Sequence, residues 1–159
     1  MLAIFLIGYG WWMTHFAVRA DRLMHYSFHS SIGYDLLLLL MFRLCWRAMN
    51  PVPLMPSSMV RWERIAAMSS HILLYVLLFA VSVTGWLLAG TLTRPLSATL
   101  LGFIPVPALN NAADRAFHDL MEDSHQILSY VLLALVVVHV AAALRHHFIK
   151  KNDILRRMW

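Results

Sequence analysis

The sequence predicts an all-α protein: a transmembrane four-helix bundle built as a single domain over residues 1–159. Three observations carry this. Hydrophobic residues make up 60% of the chain and its mean hydropathy is +0.65, well above a soluble domain. The 13% of residues that are charged lie mostly outside the longest apolar runs. Those runs reach about 20 residues, enough to cross about 30 Å of hydrocarbon as helices.

The first run, "MLAIFLIGYGWWM", spans Met1 to Met13. At about 1.5 Å per residue it covers only about 20 Å. It has no positive leading region, and Trp11–Trp12 stand where signal cleavage needs small residues, so a cleaved signal peptide is not expected. The expectation is a membrane helix truncated at its N-terminus, with Trp11 and Trp12 at the interface.

The second run extends from Met24 to Arg47, the third from Ile65 to Leu88, and the last from Ser124 to Phe148. Trp62 and Trp86 flank the third as interface residues. The connection "NPVPLMPSSMVRWER" and its flanks place Arg43, Arg47, Arg61 and Arg64 against Glu63. The tail places Arg145, Lys150, Lys151, Arg156 and Arg157 against Asp153.

Both basic ends are expected in the cytoplasm, which sets both termini inside a bacterial inner membrane. The connection from Ala89 to Asp123 carries two arginines against four acids and should lie outside. Pro95, Pro105 and Pro107 make it partly irregular, with a short interfacial helix near its end. The net charge of +5 sits at segment ends, which reads as membrane orientation rather than a nucleic-acid face. Cys45, the only cysteine, excludes an internal disulfide, a C-x-x-C-H haem attachment and a cysteine-held iron–sulfur cluster within the chain.

Nine histidines in so apolar a chain need a cause. His125 and His139 are fourteen residues apart. At about 100° per residue they share one face, roughly 21 Å apart along the axis. That suits two sites stacked across a bilayer, since intramembrane histidines face a bundle interior or water. His29 lies at the depth of His125, and two facing imidazoles there could fill both axial positions of a haem iron. Haem fits better than zinc, because no cysteine is at hand and carboxylates at depth are scarce.

Arg43 follows His29 by fourteen residues and could pair with a haem propionate or anchor to lipid phosphate. Gly85 follows His71 by the same step, permitting close approach of a macrocycle or another helix. His71 itself could be a ligand, a hydrogen-bond donor behind a ligand, or part of an inner quinone pocket. His146, seven residues beyond His139, suits a quinone or propionate contact at the cytoplasmic edge. His25 is the alternative outer ligand, whereas His15 and His118 read as loop or interface residues. Asp35 is open between a proton relay and a protonated acid bonded to a neighbouring helix.

The stretches "HSSIG" followed by Arg43 and Arg47, "SHILLY" followed by Gly85, "SHQ", "VHVAAALRHHF" and "KKNDILRRM" resemble the bacterial cytochrome b561 family of dihaem membrane cytochromes. The resemblance implies haem b at two levels: an outer one between His29 and His125, and an inner one on His139. The family's fourth ligand belongs to a His-Trp pair that would fall two or three residues before Met1. Three explanations follow: a start upstream of Met1, use of His71 instead, or retention of the outer haem alone.

The expected function is electron transfer between an outer donor and ubiquinone or another quinone. The resemblance adds superoxide oxidase activity, as in some family members, although the acidic outer connection counts against steering an anion. The alternatives are a cytochrome anchor subunit of a dehydrogenase or hydrogenase, and a haem-free helical membrane interaction protein.

Overall fold

The computed structural model describes residues 1–50, 60–94, 96–107 and 114–149. Pro51, Pro53, Pro56 and Pro95, and the basic tail from Lys150 onward, lie outside the described residues. Four helices form: α1 (Leu2–His15), α2 (Arg22–Met49), α3 (Arg61–Gly90) and α4 (Arg115–Phe148). Two short strands, β1 (Thr99–Leu100) and β2 (Ile104–Pro105), lie between α3 and α4.

α1 packs on α2, α2 on α3, α3 on α4 and α4 on α1, with the α3–α4 contact the most extensive. The ring sets α2 and α4 on a diagonal. α3 and α4 are long and apolar enough to cross a bilayer. α2 is comparably long at 28 residues but carries His25, Ser27, His29, Ser31 and Asp35 in its N-terminal half. α1, with 14 residues, is short, as its sequence predicts. Large apolar side chains such as Phe42, Ile72, Val76 and Val138 stay exposed on the outside of the ring, as lipid-facing positions would. Among the described residues buried apolar side chains are few, and Leu132 on α4, 1% exposed, is the most enclosed of them.

The predicted short interfacial helix is not separate. Arg115 to Asp123 are the first turns of α4, opened by Asp114, whose carboxylate accepts from the amides of Ala116 (2.9 Å) and Phe117 (3.2 Å). This N-cap satisfies the free donors of the first turn, so the helix begins there and runs on unbroken. Arg145, His146 and His147 close its last turn, where the Arg145 cation meets the negative end of the helix dipole.

The irregular outer connection contains a hairpin that periodicity does not reveal. Leu101 (φ 55°) and Gly102 (φ 78°) turn β1 back onto β2 with positive φ at two successive positions, the pattern of tight hairpin turns. β1 lies along α2 through three bonds. The amide of Ser97 donates to Ser27 Oγ (3.1 Å), that of Thr99 to Ser31 Oγ (2.9 Å), and that of Leu101 to Asp35 Oδ1 (2.7 Å). Four helical residues advance about 6 Å and two extended residues about 6.6 Å, so the repeats stay in step. Non-helical backbone beside a membrane helix must have its amides satisfied, and this stripe does so.

Asp35 is therefore an acceptor for hairpin backbone. The bond reaches hairpin backbone rather than the neighbouring helix that one of the sequence-based alternatives supplies. Replacing Asp35 by alanine is expected to weaken hairpin docking by about 1–3 kcal/mol. The check is faster hydrogen exchange at the Leu101 amide, with protection retained in Asp35→Asn, which keeps an acceptor oxygen.

Candidate haem-binding site

α2 brings His29, and α4 His118 and His125, to a cavity of about 300 Å³ walled by all four helices. His29 and His125 face each other there, ring centroids 6.2 Å apart and planes at 83°. An iron about 2 Å from one nitrogen of each ring, each nitrogen ~1 Å from its centroid, calls for about 6 Å between centroids. The pair has the spacing of two axial imidazoles.

The tautomer agrees. His125 Nδ1–H donates to the Val81 carbonyl (2.9 Å), with Thr84 Oγ1 at 3.3 Å. A carbonyl only accepts, so Nδ1 carries the proton and Nε2 keeps its lone pair, the form a metal requires. His29 Nδ1 and Trp86 Nε1 are buried without a hydrogen-bond partner among the described residues, and both residues line this cavity. Buried polar atoms are rarely left so. Two of them, one from α2 and one from α3, fit a guest that carries polar groups or a metal.

Both rings rest on glycines. A Cβ at Gly85 would stand 2.8 Å from His125 Cε1, and one at Gly10 would stand 3.2 Å from His29 Cε1. Gly85 thus admits the His125 ring of α4 at close range, in keeping with a glycine that lets another helix approach. His25, the alternative outer ligand, is engaged by α1: its Nδ1 is 2.7 Å from the Tyr9 hydroxyl and its ring stands edge-on to Trp12. That leaves His29 opposite His125.

At the inner level α3 and α4 bring His71 and His139 together, centroids 5.2 Å apart and planes inclined at 56°. This is closer than an iron held in trans between the two rings allows, and the rings come from neighbouring helices. His139 Nδ1 lies 3.3 Å from Ser70 Oγ, whose own hydrogen is directed to the Ala67 carbonyl at 2.9 Å. Ser70 therefore accepts, and His139 has the same tautomer as His125.

Arg43 Nε donates to the Tyr75 hydroxyl (3.2 Å), and the Arg47 guanidinium lies over the Tyr75 ring at 5.7 Å. Both arginines are within electrostatic reach of His71. The inner level thus gathers two cations and two imidazoles, while Arg43 itself is exposed and bound to Tyr75.

His146 is half-buried, its Nδ1 enclosed without a partner among the described residues. Glu63 in the first turn of α3 is 5% exposed and lies 3.8 Å from Arg145. His118 is not a loop residue: on α4 it meets Thr91 through Nδ1 and Glu122 through Nε2 at 3.6 Å.

Sequence reasoning missed Gly10, Glu63, Ser70, Val81, Thr84 and Thr91. A signal for most of them was present. Glu63, Ser70 and Thr84 along α3, and Thr91 at its C-cap, recur in steps of seven or fourteen, matching His146, His139, His125 and His118 on α4. Val81, which contributes only its carbonyl, has no such signal.

The sequence model of a family described as prokaryotic cytochrome b561 matches residues 1–159. Two Escherichia coli (strain K12) proteins are similar to this chain. Cytochrome b561 homolog 2 is 38% identical over 131 residues, covering 82% of this chain and 68% of that protein. Cytochrome b561 homolog 1 is 32% identical over 98 residues, covering 61% of this chain and 53% of that protein. With the family's pattern running through its whole length, the chain belongs to the prokaryotic cytochrome b561 family.

Proposed function

We propose that this membrane b-type cytochrome carries electrons between an outer donor and the quinone pool, through haem b held at two levels of a four-span bundle in the bacterial inner membrane. The observation that carries the reading is the His29–His125 pair, at axial spacing and with the His125 tautomer fixed.

Haem b, when bound, supplies reversible one-electron transfer at its iron. His29 and His125 would hold it at the outer level. Held by both imidazoles, the haem would favour electron transfer over oxygen binding. His139 would hold the inner haem, with the His71 ring beside it at 5.2 Å between centroids. Arg43 and Arg47 supply positive charge at that level, suited to a propionate. His146, with its enclosed Nδ1, fits a quinone oxygen or a propionate at the inner edge. The basic connection and tail favour a cytoplasmic C-terminus.

The outer face of α4 carries Asp119, Glu122 and Asp123, so a superoxide anion gains no steering there, and a neutral or cationic donor suits the surface better. Haem quantitation and a reduced-minus-oxidised spectrum of the purified protein test the reading. A bis-imidazole b-type band is expected. Protein that folds in the membrane and binds no haem overturns it in favour of a helical interaction protein.

A further inference from the structure

One uncharged stretch interrupts the acidic connection between α3 and α4. From Leu96 to Pro107 no residue carries a charge. The first strand of this stretch descends along α2, which begins at Arg22. Its amides at Ser97, Thr99 and Leu101 meet Ser27, Ser31 and Asp35 in turn. Asp35 is thirteen residues along the helix from Arg22, about 20 Å of rise. Leu101 and Gly102 turn the chain at that depth, and β2 runs back antiparallel to β1. With α2 across a hydrocarbon layer about 30 Å thick, the turn lies well inside it.

The open edge of β2 suits such a place. Successive strand residues turn their amides to opposite edges. The Val106 amide donates to the Ala98 carbonyl (3.1 Å), and Leu100 pairs with Ile104 in the same register, so positions 104 and 106 turn toward β1. Positions 105 and 107 turn the other way, and both are proline, which has no amide hydrogen. Phe103, next on that edge, spends its amide on the Leu100 carbonyl within the turn (3.3 Å). The edge therefore offers no free N–H at 103, 105 or 107. Its carbonyls go unpaired at less cost than amides. In water an edge strand is commonly guarded by charge. Here the tip is apolar instead: Leu101 is 52%, Phe103 74% and Ile104 42% exposed.

We propose that residues 96–107 form a re-entrant hairpin whose tip, Leu101 to Ile104, is embedded in the acyl chains of the membrane, with lipid as its partner. The proposal rests on the four-span reading above. Non-helical backbone at membrane depth must have its polar groups satisfied or removed. α2 satisfies the β1 edge through Ser27, Ser31 and Asp35, and proline removes the donors of the β2 edge. The same contact takes a polar stripe of α2 away from lipid. Leu96, at the entry to the hairpin, lines the cavity that holds His29 and His125, so the element is a wall of the haem site as well as a lipid contact.

The test places a nitroxide on single cysteines of the full chain in bilayers, with Cys45, which is exposed, replaced by serine. Collisions with oxygen, which concentrates in lipid, are compared with collisions with a water-soluble nickel chelate. Phe103→Cys should follow Val76→Cys, an exposed apolar position on α3, with oxygen dominating severalfold. Asp119→Cys, on the exposed first turns of α4, should show the reverse. Pro105→Ala gives a second reading that leaves the tip intact. Its new amide faces the open edge without a protein acceptor, yet should exchange slowly with deuterium, because no water reaches it.

A Phe103 label that reads like Asp119, while Val76 reads as lipid, overturns the proposal and makes the tip a surface for a soluble partner. A label shielded from both reagents overturns it in favour of a second copy of the chain seated on the tip. Fast exchange at position 105 in the Pro105→Ala variant overturns it as well. A Val76 label that reads as aqueous overturns the four-span reading, and this proposal with it.

Discussion

Replacing His125 by alanine is expected to lower the haem content by one per chain and to leave the helices in the membrane. The ring stands 6.2 Å from that of His29 and bonds the Val81 carbonyl at 2.9 Å, so its loss removes an axial donor and the contact that aims it. The deletion also leaves a gap above Gly85, a cost of roughly 2–4 kcal/mol if it stays empty. His29→Ala should have the same effect on haem from the other side. His25→Ala should not, because His25 is bonded to Tyr9 and lies outside the facing pair. Added imidazole, small enough to enter the vacated space, should restore the b-type spectrum in His125→Ala. Haem quantitation beside protein determination checks all three variants. An unchanged ratio in His125→Ala removes the outer assignment.

These expectations rest on residues the sequence made legible to different degrees. The three longest helices follow from apolar run length, because in lipid a segment must bond its own backbone. His125 and His139 stood out because a fourteen-residue step returns to one helix face, and His29 because it lies at the depth of His125. What a local pattern cannot carry is which groups meet across helices. Ser70 and Thr84 look like ordinary small polar residues until α4 is laid antiparallel to α3 in the register that puts them against His139 and His125. Val81 is invisible by side chain, since only its carbonyl takes part.

Asp35 resisted reading for a related reason. Its partner is a backbone amide of a hairpin two elements later in the chain, and nothing in "LLGF" announces that β1 will lie along α2. Glu63 belongs to a basic connection by sequence, yet it is 5% exposed at the α3–α4 seam and faces Arg145.

Replacing Gly85 by alanine is expected to cost more of the outer haem than any other single-methyl change in the bundle. The added Cβ would stand 2.8 Å from Cε1 and 3.1 Å from Nδ1 of His125, closer than carbon atoms pack. The imidazole must then move off α3. It cannot do so and keep Nδ1 on the Val81 carbonyl, because that carbonyl is the one toward which the Gly85 amide points in the helical i to i−4 pattern. One methyl therefore displaces the ring and breaks its orienting bond together.

Overpacking of this kind costs about 1–3 kcal/mol, set against up to about 1 kcal/mol gained in helix propensity. Net stability should fall modestly while outer haem occupancy falls steeply. Gly10→Ala places its Cβ 3.2 Å from His29 Cε1, where a shift of a few tenths of an ångström relieves the contact, so a smaller loss is expected. Gly8→Ala meets nothing within 4 Å and should leave haem content unchanged with equal or greater thermal stability. Haem content and thermal unfolding of the three variants, measured side by side, check the order Gly85, Gly10, Gly8. An undiminished outer haem in Gly85→Ala would mean that the His125 ring does not bind iron from its seat on α3.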